Sequence, residues 1–264
     1  MKRPTRKRSV DREAFLLSVT LHDVDDYSRY PFSIPAIKGL RELVLDDHVT
    51  FLIGDNGSGK STLLEAIAVA AGFNPEGGSK NFRFETRSSE SELHRHLRPS
   101  RGLRRQRDGF FLRAESYFNV ATEIERLDRD DPGDASGPKI LPTFGGVSLH
   151  EQSHGESFLA LLRERLYGQG LYIFDEPEAA LSPQRQLSLL TRMHQLVEDG
   201  SQFIIATHSP ILMAYPGALL YQLDETGLRT VEYEETEHYR LTRDFLNGRD
   251  RYFKHLFNPK DEDT

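Results

Sequence analysis

Residues Gly54 to Ser61 read GDNGSGKS, and this stretch constrains the chain more than any other. It follows an apolar run, Val49 to Ile53, and leads into LLEAIAVAA, whose composition favours helix. Strand, glycine-rich loop and helix is the context a phosphate-binding loop requires. Glycines at 54, 57 and 59 let the backbone turn tightly enough for several N–H groups to face one anion, and the helix N-terminus adds positive partial charge. Gly54, Asp55, Asn56, Gly57, Ser58, Gly59, Lys60, Ser61 and Thr62 are therefore the expected nucleotide-binding residues. Lys60 is expected to reach the β- and γ-phosphates, and the Ser61 hydroxyl to ligate a magnesium ion bridging the same oxygens. ATP and Mg²⁺ are the expected cofactors.

Two further apolar runs end in polar residues suited to that chemistry. LYIFDEPE, Leu171 to Glu178, is expected to be a buried strand delivering Asp175 and Glu176 at its carboxyl end, where open α/β sheets place their ligands. Asp175 suits a magnesium contact through water and Glu176 a general base; the bland alternative is a charged strand exit. FIIATHSP, Phe203 to Pro210, repeats the pattern with His208 at its exit, as a sensor of the γ-phosphate or as a structural histidine. A weaker signal is SHGES, Ser153 to Ser157, where Phe158, Leu161, Leu162 and Leu166 recur at helical spacing and place Ser153 and Gly155 at a helix N-terminus. Tyr27 and Tyr30 lie upstream of the loop in a segment broken by Pro31 and Pro35, where a ring stacks on adenine or serves structure alone.

In 264 residues, 37% of them hydrophobic, there is room for one substantial core with insertions. Residues 1–12 read as a basic tail, 13–235 as the nucleotide-binding domain, and 236–264 as a polar helix with an acidic end. Within the domain, 74–108 reads as an irregular insertion and 116–152 as a short helical lobe and linker. Arg95, Arg98, Arg101, Arg104, Arg105 and Arg107 crowd the end of that insertion. A solvated loop, a contact to nucleic-acid phosphates and a receptor for an acidic protein all fit this composition. With no cysteine, disulfides, thiolate metal sites and a cysteine nucleophile are excluded. The basic start runs into Asp11, Arg12 and Glu13 rather than an apolar stretch, and no run approaches eighteen apolar residues. A soluble, cytoplasmic protein is expected.

Taken together and in this order, the four stretches resemble the ABC-type ATPases. They are most similar to the small stand-alone bacterial AAA family ATPases related to the ATPase heads of chromosome-maintenance and recombination-repair proteins. The resemblance spans roughly residues 14–223. It implies an α/β fold of P-loop NTPase type, with a mixed central sheet, helices on both faces and a short helical signature lobe. By the family pattern GDNGSGKS corresponds to Walker A, YIFDE to Walker B with Glu176 catalytic beside Lys60, Ala180 to Ser182 to the D-loop, and His208 to the switch histidine. Ser153 and Gly155 fall in the signature motif, which in this family contacts ATP bound to a second subunit. A head-to-tail, ATP-dependent homodimer is thus implied.

There are departures. Gln152, His154 and Glu156 replace the usual leucine, first glycine and glutamine of the signature, and Ser182 replaces the D-loop aspartate. Glu115, a further metal candidate, stands where the family's Q-loop carries glutamine. No heptad pattern separates Walker A from the signature, so the resemblance is to a head without a coiled-coil arm. The expected function is an ATP-hydrolysing dimerisation switch. The alternatives are the nucleotide-binding subunit of a membrane transporter, with a membrane partner the less favoured, and a nucleotide-regulated module for DNA or a partner protein.

Overall fold

The computed structural model describes residues 13–79, 91–113, 162–163 and 165–257. Its strands and principal helices, in chain order, are β1 (Leu16–Leu21), α1 (Pro35–Lys38), β2 (Glu42–Val44), β3 (Val49–Ile53), α2 (Lys60–Ala71), β4 (Gly78–Ser79), β5 (Leu97–Arg101), β6 (Asp108–Arg113), β7 (Gly170–Asp175), α3 (Pro183–Glu198), β8 (Gln202–Ala206), β9 (Leu219–Asp224), β10 (Gly227–Val231) and α4 (Glu237–Phe257). Seven strands form one sheet in the order β10-β9-β3-β8-β7-β6-β4, and three form a second in the order β2-β1-β5. The five central strands of the larger sheet, β9 to β6, run parallel, while β10 and β4 pair antiparallel at its two edges. This is the mixed α/β sheet that the resemblance implies.

Every residue of β3, β7 and β8 is buried, as expected for parallel strands covered on both faces. Side chains alternate between the faces. Leu52, Ile173, Ile204 and Ala206 join α2 in one apolar cluster, whereas Phe51, Ile53, Tyr172, Phe174, Phe203 and Ile205 join Leu189, Met193 and Leu196 of α3 in another. Helix α2 has no polar flank of its own because it is covered twice. Phe15, Val19, Leu43 and Leu97, from β1, β2, β5 and the residues leading into them, belong to the same cluster as Leu63, Leu64 and Ile67 of α2. A helix enclosed between two sheets is apolar nearly all round, which LLEAIAVAA provides.

A buried amide helps fasten the two sheets, beside the hydrogen bond from Tyr221 OH of β9 to Val44 O of β2 at 2.8 Å. Gln202 Oε1 accepts from Phe15 N (3.1 Å) and Leu16 N (2.9 Å), while its Nε2 donates to Leu16 O and Asp46 O, both at 2.8 Å. All four lone pairs and protons of the amide are thereby used, which a buried glutamine needs in order to be neutral to stability.

Part of the 74–108 segment is regular, contrary to its irregular reading. Leu97–Arg101 pairs antiparallel with β1, with Pro99 opposite Val19, and an edge strand tolerates a proline that a central strand does not. Three of its arginines are engaged internally. Arg98 pairs with Asp23 at 3.4 Å, Arg101 donates to Ala71 O at 3.1 Å, and Arg104 pairs with Glu13 at 3.3 Å while lying over the Phe15 ring. Arg95, Arg105 and Arg107 are exposed. The segment around Tyr30, which reads as loop, closes with the single turn α1, with Pro35 in its first turn, where no N–H is needed. The β9–β10 hairpin and the helix near Thr236 form as expected. That helix, α4, is interrupted at Gly248, buries none of its residues and leaves Leu241, Leu246, Leu256 and Phe257 exposed.

Replacing Gln202 by leucine strands two backbone N–H groups and two carbonyls between the sheets. The expected cost is about 3 kcal/mol or more, read as a lower urea midpoint with an unchanged slope.

Candidate functional site

The site stands at the carboxyl edge of the parallel strands. Ladder register sets it: Leu52 of β3 lies opposite Ala206 of β8, Ala206 opposite Asp175 of β7, and Asp175 opposite Arg113 of β6. The residues that follow each strand therefore emerge side by side, as the topology of open α/β sheets requires of a ligand site. Thr207 N donates to Leu52 O at 3.1 Å and Glu176 N to Ala206 O at 2.9 Å, so the ladder continues one step past the strand ends.

The loop from Gly54 to Gly59 needs glycine at its two ends for different reasons. A Cβ on Gly54 would stand 2.2 Å from Leu223 O, and one on Gly59 would stand 2.7 Å from Ile34 Cγ2, while φ is +149° and +94° respectively. Close approach and left-handed backbone together exclude a side chain at both positions. Gly59 then caps α2, which begins at Lys60. The Lys60 ammonium curls back over the loop and donates to Asp55 O at 2.9 Å. Lys60 is 4% exposed, and burial pushes its pKa below the ordinary lysine value, against the pull of Glu176, Asp175, Asp55 and Glu178. Asp55, Asn56 and Gly57 are exposed at the loop's outer turn. The Ser58 hydroxyl is buried with no hydrogen-bond partner among the described residues.

One residue on, Ser61 Oγ donates to Asp175 Oδ1 at 3.0 Å, joining the loop to the end of β7. Asp175 is buried, and Arg113 reaches toward it with Nε 3.9 Å from Oδ2 while Nη1 binds Glu65 at 2.8 Å. Glu176 adopts a left-handed backbone (φ 48°, ψ 51°), a conformation that costs a non-glycine residue of order 1 kcal/mol and turns its side chain out of the strand direction. Its Oε1 lies 3.2 Å from His208 Nε2, within ion-pair reach but not aligned as a hydrogen bond. The backbone N of His208 donates to Glu178 Oε1 at 2.6 Å, and its Nδ1 lies 3.3 Å from Nε2 of His238 on α4.

Hence Lys60, Ser61, Asp175, Glu176 and His208 form one connected group, as their motifs anticipate. Tyr30 stands beside them: its OH is 3.1 Å from Thr62 Oγ1, and the side chain is 67% exposed, leaving its ring face open to a ligand. Glu115, Ser153 and Gly155 lie outside the described residues. Three members were not singled out from the sequence. Glu178 was visible as the last letter of the DEPE run, and Arg113 as the polar end of the GFFLR strand. For His238 no local pattern exists, since it stands thirty residues from its partner.

The donors fit a nucleotide and a hard cation. A cradle closed to side chains, an unpartnered buried hydroxyl and a buried lysine suit phosphate oxygens. A hydroxyl and a carboxylate in contact suit magnesium, which takes few protein ligands and completes its shell with phosphate and water.

Comparison with known proteins agrees. A family model described as "AAA domain, putative AbiEii toxin, Type IV TA system" matches residues 91–214, and a second, "AAA domain", matches residues 33–136. Among curated proteins, the arginine transport ATP-binding protein ArtM of Bacillus subtilis is 23% identical over 181 residues, covering 65% of this chain and 74% of its own. The hemin import ATP-binding protein HmuV of Rhodopseudomonas palustris is 26% identical over 189 residues, covering 64% and 71%. Both family models describe an AAA domain, and both relatives are described as ATP-binding proteins. Solved structures similar to this chain include the SMC head domain from Thermotoga maritima (17% identity, 83% of this chain and 99% of that one, TM-score 0.43). Another is the dimeric structure of MJ0796, a bacterial ABC transporter cassette (17%, 74% and 90%, TM-score 0.43). Among the described residues, no helix is long and apolar enough to cross a membrane.

An alanine at position 59 must displace Ile34 or open the left-handed turn. Gly59→Ala is expected to weaken binding of a fluorescent ATP analogue more than about tenfold while costing the fold only about 1–3 kcal/mol, measured by titration and by thermal melting.

Proposed function

We propose that this chain binds ATP with magnesium in the Gly54–Ser61 cradle, hydrolyses it, and couples the cycle to association of two copies. One observation carries the reading: the Ser61–Asp175 contact at 3.0 Å sets the loop against the Walker B strand, with Glu176 and His208 3.2 Å apart beside it. Backbone N–H groups of the loop and the Lys60 ammonium would hold the β- and γ-phosphates. Ser61 and Asp175 would hold magnesium, which when bound neutralises phosphate charge. Glu176, turned out of its strand, would take a proton from the attacking water as the water's oxygen bonds to the γ-phosphorus and the bond to the bridging oxygen breaks, leaving ADP and phosphate. His208 would donate through Nε2 to a γ-phosphate oxygen. In the dimer, Ser153 and Gly155 of one copy would face the nucleotide of the other, so that loss of the γ-phosphate removes the bridge between copies.

Lys60→Ala is expected to abolish nucleotide binding. Glu176→Gln is expected to keep binding, lose turnover by at least about a hundredfold, and accumulate as a dimer with ATP, read by light scattering. A Glu176→Gln protein that stays monomeric at saturating ATP argues against the sandwich.

The relatives favour a second reading, the ATP-binding subunit of a membrane transporter, since ArtM and HmuV bear that description. Co-purification with a polytopic membrane protein would support it. Action on nucleic acid rests on Arg95, Arg105 and Arg107, the members of the arginine cluster with no internal role described above. Turnover that rises with double-stranded DNA, and no longer does so when these three are neutralised, is the outcome that reading requires.

A further inference from the structure

We propose that His238 is a positioning residue for His208: its Nε2–H donates to His208 Nδ1 and thereby holds the His208 Nε2–H turned into the nucleotide site. The inference rests on the reading of His208 as the group that meets the γ-phosphate.

The proton arrangement follows from the partners. His208 Nε2 lies 3.2 Å from the Glu176 carboxylate without being aligned as a hydrogen bond, and negative charge at that distance favours a proton rather than a lone pair on the atom facing it, so the His208 proton belongs on Nε2. Its Nδ1 is then a bare acceptor, and the group 3.3 Å away, His238 Nε2, must be the donor. A neutral His238 with its proton on Nε2 leaves Nδ1 bare, and this atom is indeed buried without a partner among the described residues. Burial, and after it the neighbouring His208, holds the His238 pKa below the ordinary histidine value, so the second ring remains neutral. The hydrogen bonds then point one way, from His238 to His208 and on toward the site. In this arrangement the second imidazole does for a phosphate-facing histidine what a carboxylate or carbonyl partner does for a metal-binding one: it selects the tautomer and the ring angle.

His238 is itself held in place. It lies in the first turn of α4, which starts behind Thr236, a residue 1% exposed whose hydroxyl donates to Tyr233 O at 2.8 Å. Tyr233 in turn donates its OH to Pro210 O at 2.9 Å, two residues beyond His208. The start of the helix is thus tied to the His208 loop at two points, one through Pro210 and one through the histidine pair. The two rings sit 5.5 Å apart between centroids at 50°, a tilt suited to an in-plane hydrogen bond rather than to stacking.

The test uses the full chain with His238→Phe, which keeps a ring but no donor, and His238→Gln, whose amide nitrogen can donate from a similar reach. Imidazole nitrogen NMR of histidine-labelled, nucleotide-free protein is expected to show His208 as the Nε2–H tautomer with a hydrogen-bonded Nδ1. His238→Phe should shift that Nδ1 signal to the position of a free acceptor, and His238→Gln should restore it. In ATPase assays His238→Phe is expected to lower kcat about tenfold with KM changed less than about twofold, and His238→Gln to recover most of the loss. In a His208→Ala background the His238→Phe change should have no further effect. A wild-type spectrum showing His208 as the Nδ1–H tautomer, which needs no variant to fold, overturns the proposal. An undiminished tenfold loss on top of His208→Ala also overturns it. If His208→Ala lowers turnover but His238→Phe does not, the positioning role alone fails. If His208→Ala leaves turnover at the wild-type rate, the sensor reading fails and this inference fails with it.

Discussion

The parallel pairing of β3, β8 and β7 is the constraint on which the rest of this molecule depends. Because neighbouring parallel strands end at one edge, ladder hydrogen bonds alone bring the phosphate loop, His208 and the Asp175–Glu176 pair together from positions far apart in the chain. No side-chain interaction is needed to assemble them, and the side chains refine what the backbone has already aligned. Ser61 to Asp175 is such a refinement: a short contact between the first turn of α2 and the end of β7, possible because β8 between them spaces the two by a fixed width.

The same edge concentrates negative charge around one buried cation. Asp55, Asp175, Glu176 and Glu178 all act to keep the Lys60 ammonium charged, while burial works in the opposite sense. In a site of low dielectric these terms are larger than on the surface. Lys60, donating to the Asp55 carbonyl, is therefore held among its own carboxylates and oriented along the loop before any ligand contributes. Under the proposed function, a donor fixed in this way would meet phosphate charge with little rearrangement.

Support for the edge comes from the other side of α2. The small antiparallel sheet encloses the helix that follows the loop, and Gln202, on β8 itself, binds the chain at the start of β1. A strand of the edge that bears the candidate site thus also anchors the covering sheet. Ile34, ahead of α1, closes against Gly59, and Leu223 of β9 against Gly54, so elements before and after the loop in sequence set the width of the cradle.

The central strands, the phosphate loop and its helix were legible in the chain's own pattern, and with them the residues that follow each strand. The runs VTFLI, LYIFD and FIIA are apolar without alternation, which specifies buried parallel strands. The polar residues directly after them could be read as ligands because such strands present their exits to one edge. Local chemistry sufficed wherever the signal was contiguous: the glycines of the loop, Ser182 before Pro183 capping α3, the turn between β9 and β10. Only the tertiary structure decided what depends on distant pairing. Leu97–Arg101 has a proline and no clear alternation, and becomes a strand because β1 offers it an edge. Arg98, Arg101 and Arg104 read as part of one basic cluster; Arg98 and Arg101 stay exposed, yet the three meet Asp23, the Ala71 carbonyl and Glu13, partners that no spacing in the sequence connects. His238 enters the site from a helix whose own composition marks it only as polar, because Tyr233 and Pro210 fold that helix back beside His208. Periodicity is a property of neighbours along the chain, and contacts between separate elements leave no trace in it.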